Sequence, residues 1–160
     1  MMKKKEIKKI LQVIVFISLA NLPFLTTVQI IGMDTFLDSF ENPEQYICIQ
    51  NNKNTILPDV ADGKYIIIQK STHPSFSLEK DDEIIYISEG EIACNKILDI
   101  NSLGAIKSYY VTSGDTQPVY ESQIIGRVVN IIDDNLWTSM SMKIWEISIQ
   151  QFNINGVTID

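Results

Sequence analysis

The sequence predicts a mostly β domain, a sheet folded on itself, carried behind one N-terminal transmembrane helix. Three observations predict it. Residues 10–33 run 24 positions without a charged side chain. Beyond residue 45 the chain breaks into short segments dominated by β-branched residues. Between those segments stand turn-forming groups such as Asp62-Gly63, Glu89-Gly90 and Ser113-Gly114-Asp115.

Length and composition set the bounds. A chain of 160 residues suits one domain plus an accessory segment. Its 45% hydrophobic and 21% charged residues exclude a disordered chain. The net charge of -7 is unevenly spread. Lys3, Lys4, Lys5, Lys8 and Lys9 crowd the N-terminus, and beyond position 9 eight basic residues face 19 acidic ones. That acidic remainder excludes a nucleic-acid partner, because phosphate binding needs the opposite sign. The two cysteines, Cys48 and Cys94, lack CxxC spacing, and His73 is the one histidine. No zinc site, other metal or cofactor is therefore expected. Whether the cysteines pair outside the cytoplasm or stay as two buried thiols is open at this point.

In chain order, residues 1–33 form the lysine-rich segment and the anchor. About 20 apolar residues span a bilayer as a helix. The preceding lysines hold the N-terminus inside, which puts the rest of the chain outside the cytoplasm on a single-pass anchor. Residues 10–19 also have the length of a signal-peptide core, with Ser18-Leu19-Ala20 as a small-x-small cleavage site. A buried core helix is the third reading. Residues 34–45 are a juxtamembrane link, with Phe36, Leu37 and Phe40 on one short apolar face. Residues 46–160 are the β domain. Its expected strands are 46–50, 64–69, 83–88, 91–100, 108–112, 123–132 and 143–152, with residues 136–147 ambiguous between helix and strand. Glu89-Gly90 is expected to close a tight hairpin. Gly126-Arg127 reads as a bulge and a solvated charge. Trp137 and Trp145 suit either a membrane interface or a core.

Several segments then fall into a recognisable order. Ser71-Thr72-His73-Pro74-Ser75-Phe76 ends an apolar strand in a hydroxyl-rich turn. It resembles the nucleophile box of type I signal peptidases. Residues 78–85 are similar to the stretch that follows that box, and Ile92-Ala93-Cys94-Asn95-Lys96-Ile97-Leu98 to the strand carrying the general base. Thr112-Ser113-Gly114-Asp115-Thr116-Gln117-Pro118 resembles the family's Gly-Asp loop, and Gln123-Ile124-Ile125-Gly126-Arg127-Val128-Val129 the strand after it. The likeness covers roughly residues 60–132, and the spacings fit the archaeal and endoplasmic-reticulum type.

The resemblance implies a membrane-anchored serine endopeptidase acting on signal peptides of exported proteins, with preprotein and membrane lipid as partners. Ser71 would be the nucleophile and Asp115 the acid that orients the base. Glu121 falls where the family often has a second aspartate. The base position is held by Asn95, which cannot accept a proton near neutral pH. Three other residues come into question as base. Lys96 is adjacent, but strand alternation turns it to the opposite face. Lys70 precedes Ser71, and His73 is expected to face solvent. The Ser71 backbone N–H is expected to serve an oxyanion. Two further classes stand beside the enzyme: a catalytically inactive relative that binds extended peptides or a partner subunit, and an unrelated exported β domain.

Overall fold

The computed structural model describes residues 4–51, 60–104, 106–111 and 117–153. The chain divides into two compact units, Met1–Phe40 with Asn135–Asp160, and Glu41–Asp134. The sheet unit thus ends at Asp134, and the residues after it, assigned to the β domain from sequence, group with the N-terminal helices.

The helical unit is built from α1 (Lys4–Ile31), α2 (Met33–Glu41) and α3 (Leu136–Asn153). Within α1, Lys9–Ile31 is long and apolar enough to cross a membrane. Gly32 ends the helix with φ +81, a left-handed conformation that glycine adopts without strain. The Phe36 N–H then donates to the Gly32 carbonyl at 2.9 Å and starts α2. Phe36 packs edge-on against Phe24 of α1, with ring centroids 5.3 Å apart. The apolar face expected in the link is therefore part of a helix.

Residues 143–152 are a correction: they belong to α3, not to a strand. Asn135 caps the helix, its Oδ1 accepting the N–H groups of Trp137 and Thr138 at 3.1 and 3.0 Å. Thr138, Ser141, Met142 and Trp145 are buried. That spacing is helical, whereas the β-branched residues among them, Ile144 and Ile147, are exposed.

The sheet unit contains β1 (Tyr46–Gln50), β2 (Tyr65–Lys70), β3 (Glu83–Ser88), β4 (Glu91–Leu103), β5 (Ile106–Val111), β6 (Val119–Tyr120) and β7 (Ile124–Ile132). The order across the sheet is β1-β2-β7-β3-β4-β5-β6, and every pair is antiparallel. Among the described residues no pairing joins the two edge strands, β1 and β6. Helix and strand contribute comparable lengths, so "mostly β" describes the sheet unit and not the whole chain. Glu89 and Gly90 both have positive φ, 52 and 87, as a two-residue hairpin turn between β3 and β4 requires.

Alternation divides the core in two. Ile84, Tyr86, Ile97, Tyr109, Val111, Val119 and Ile124 form one cluster. Ile66, Ile68 and Ile85 form the other, with Cys94 and Ile125 packed against it. Neighbouring residues of β3 (Ile84 and Ile85) and β7 (Ile124 and Ile125) thus serve opposite faces. Neither Cys48 nor Cys94 is in a disulfide. Burial, then the nearby Glu83 carboxylate, pushes the Cys94 thiol up to about 12.

Gly126 and Arg127 are not the bulge expected from sequence: both pair in regular register with β2 and β3, and the register shifts fall at Ile125 and Val129. A Cβ on Gly126 would run into the Gln69 carbonyl oxygen and come within 2.7 Å of Ile68 Cγ2. Arg127 is not a solvated charge: its guanidinium donates to Gln69 Oε1 at 3.0 Å and pairs with Asp82 at 3.4 Å. Asp82 also accepts the Glu79 N–H at 2.8 Å. This network ties β2 and β7 to the 79–82 turn.

Candidate functional site

Ser71 stands one residue past β2. Its backbone N–H donates to the Ile125 carbonyl of β7 at 2.9 Å. His73 N–H to Lys70 O (3.0 Å) and Phe76 N–H to His73 O (2.9 Å) then fold the chain into two successive turns. Phe76 and Leu78 leave those turns to pack on the first core cluster. The segment is held at both ends, and Ser71 is fixed by backbone bonds.

Ser71 lines a cavity of about 300 Å³ together with Phe76, Leu78, Ile124, Lys107, Tyr109 and Glu121. Three strands, β7, β3 and β4, separate β2 from β5 in the sheet order. At ~4.8 Å per strand a flat sheet would hold them ~19 Å apart, against ~8 Å for a round cavity of this volume. The sheet therefore coils, and the coiling builds the cavity.

Besides Ser71 and Ser77, its polar side chains come from β5 and the segment after β6. Lys107 and Tyr109 are two apart on one strand and share a face. The Tyr109 hydroxyl donates to Glu121 Oε1 at 3.2 Å. Burial, then the charge and hydrogen bond of the Glu121 carboxylate, push the Tyr109 phenol up to about 12. The phenol therefore stays protonated and remains a donor at neutral pH. Among the described residues Lys107 is the one cationic side chain of this lining.

The other sequence candidates lie elsewhere. Asn95 sits on β4, where its amide donates to the Tyr86 hydroxyl at 2.9 Å, and it does not line the Ser71 cavity. Lys96 pairs with Asp81 at 3.3 Å, on the opposite side of the strand as alternation requires. Lys70 Nζ donates to the Glu44 carbonyl at 2.6 Å. His73 is buried rather than solvent-facing. Its Nδ1 accepts the Ser75 N–H at 3.1 Å, and its ring meets Tyr46 edge-on at 5.5 Å. The Ser71 N–H, expected to serve an oxyanion, is donated to Ile125. Asp115 lies outside the described residues. Glu121 joins Ser71 at the cavity, at one remove through Tyr109.

Lys107 is the residue that sequence reasoning missed. A strand begun at 108 left it in a turn, whereas β5 begins at Ile106. The signal was parity: Lys107 shares the alternation of the buried Tyr109 and Val111.

No protein-family model matches this chain, and no curated protein is significantly similar to it.

Proposed function

We propose that this chain is a membrane-tethered serine endopeptidase of the signal-peptidase kind, with Ser71 as nucleophile and Lys107 as general base. The observation that supports the reading is the shared cavity: a serine and a lysine line it together, while Lys70, Lys96 and His73 are engaged elsewhere. The substrate is an extended peptide, the signal peptide of an exported protein. The apolar lining from Phe76, Leu78 and Ile124 suits small apolar side chains next to the scissile bond.

In this mechanism the Lys107 amine takes the Ser71 proton as Oγ attacks the scissile carbonyl. The C–N bond breaks, the ammonium returns the proton to the leaving amine, and an ester remains on Ser71. Water then attacks the ester, losing its proton to Lys107, and regenerates the serine. The Tyr109 hydroxyl, whose proton is donated to Glu121, serves the developing oxyanion only by exchanging that partner. The N-terminal helix Lys9–Ile31 tethers the site where exported chains leave the bilayer, with the sheet unit outside the cytoplasm.

A second reading is favoured by one observation. With its N–H held by Ile125, Ser71 lacks its own backbone donor for an oxyanion. On that reading the chain binds extended peptides, or a partner subunit, without cutting them. Incubating the vesicle-reconstituted protein with a preprotein separates the two. The enzyme releases a mature product that Ser71→Ala does not, whereas the binding protein retains substrate with or without the hydroxyl.

A further inference from the structure

Helix α3 has two unlike faces. Thr138, Ser141, Met142 and Trp145 are buried within the helical unit. The Thr27 hydroxyl donates to the Ser141 carbonyl, and the Ser141 hydroxyl to the Pro23 carbonyl, both at 3.3 Å. The Trp145 indole N–H donates to Ser39 Oγ at 2.9 Å. The other face carries Leu136, Trp137, Met140, Ile144 and Ile147, all exposed. At ~100° per residue these five fall within one arc ~100° wide, and Lys143 and Glu146 lie on its flank.

The docking contacts set the depth. Pro23 and Thr27 lie eight and four residues before Ile31, the end of the apolar span. At ~1.5 Å per residue Ser141 is ~6–12 Å inside that end. Contact through small hydroxyl residues is how helices pack against one another in lipid. We infer that α3 is a second membrane-embedded segment, lying beside α1 in the bilayer, with its apolar stripe against the lipid acyl chains. On α1 itself Leu11, Val15, Phe16 and Leu19 are likewise exposed. Lys143, at the edge of the stripe, reaches the headgroups along its extended side chain. The inference rests on reading α1 as membrane-spanning, and it replaces a single-pass anchor by a helix pair.

Trp137 is the natural reporter, because it is exposed and Trp145 is buried. The full chain is reconstituted in phosphatidylcholine vesicles with plain or brominated acyl chains. Wild type is compared with Trp137→Phe, which leaves the docking residue Trp145 in place, and the difference isolates Trp137. Bromolipid is expected to quench the Trp137 emission about twofold or more, since the quencher occupies the ~30 Å hydrocarbon core, while aqueous iodide leaves it little changed. Iodide quenching without bromolipid quenching, in protein that stays with the vesicles through alkaline carbonate, overturns the inference and leaves the α1 anchor standing. Bromolipid quenching that vanishes as protein density rises also overturns it, because a second copy would then cover the stripe. Release of the protein by carbonate overturns the anchor reading, and the inference falls with it.

Discussion

Ser71, at the end of β2, and Lys107, on β5, line one cavity although three strands lie between theirs in the sheet. The relationship depends on two features. The Ser71–Ile125 backbone bond fixes the Ser71 main chain, and the coil of the sheet carries β5 across to it. Ser71→Ala and Lys107→Met should each lower preprotein cleavage by about three orders of magnitude or more, as removal of one member of a catalytic pair does. Unchanged circular dichroism and melting would show that the sheet is intact in both.

Asn95, by contrast, should prove structural. Its amide binds the hydroxyl of the buried Tyr86. Asn95→Ala should cost about 1 kcal/mol of stability and leave cleavage unchanged. Urea denaturation and the cleavage assay on the same sample check both halves. A large loss of activity at unchanged stability would return this position to the site.

These two residues show what the sequence did and did not make legible. The strand positions, the Glu89-Gly90 hairpin and the nucleophile turn follow from local chemistry, namely β-branched runs and residues that tolerate positive φ. Lys107 does not, because its role depends on how far the sheet coils, and coiling is set by pairings distant in sequence. The same limit explains α3. Isoleucines at 144 and 147 favour a strand locally, and the Asn135 cap and Trp145 docking override them. The hidden His73 is a third case: a turn histidine next to proline reads as exposed until Tyr46 of β1 is placed against it.

Gly126→Ala should destabilise the sheet unit by about 1–3 kcal/mol, the usual cost of overpacking. The added methyl meets the Gln69 carbonyl and Ile68 Cγ2, and backbone cannot move aside as a flexible side chain does. Thermal unfolding measures the shift. Gly126→Ala at wild-type stability would contradict a close approach of β7 to β2 at this position.

Alkaline pH should unfold the domain through two groups. Folding raises the Tyr109 pKa from 10 to about 12 and the Cys94 pKa from 9 to about 12. In each case the folded state holds the proton more tightly, so the stabilisation is complete below the unfolded pKa and is lost as pH rises through the folded one. Stability should be flat near neutrality, begin to fall above pH 9 through Cys94, and fall more steeply from 10 to 12 as Tyr109 joins. Urea midpoints across pH 7–12 for wild type, Cys94→Ala and Tyr109→Phe check this, each variant flattening its part of the curve.

Cys94 should also resist thiol reagents. A rise from 9 to about 12 lowers its thiolate fraction about a thousandfold at neutral pH, and the thiolate is the reacting form. Maleimide labelling of the folded protein followed by mass spectrometry should find Cys94 unmodified until denaturant is added.

The pairing of Ser71 with Lys107 is tested most directly by a double-mutant comparison of cleavage rates on a signal-peptide-bearing preprotein. If the two act as one catalytic unit, Ser71→Ala, Lys107→Met and the double variant are all equally slow, because removing either partner already removes the reaction. A Lys107→Met protein that cleaves at the wild-type rate, or a wild type no faster than Ser71→Ala, would contradict the account.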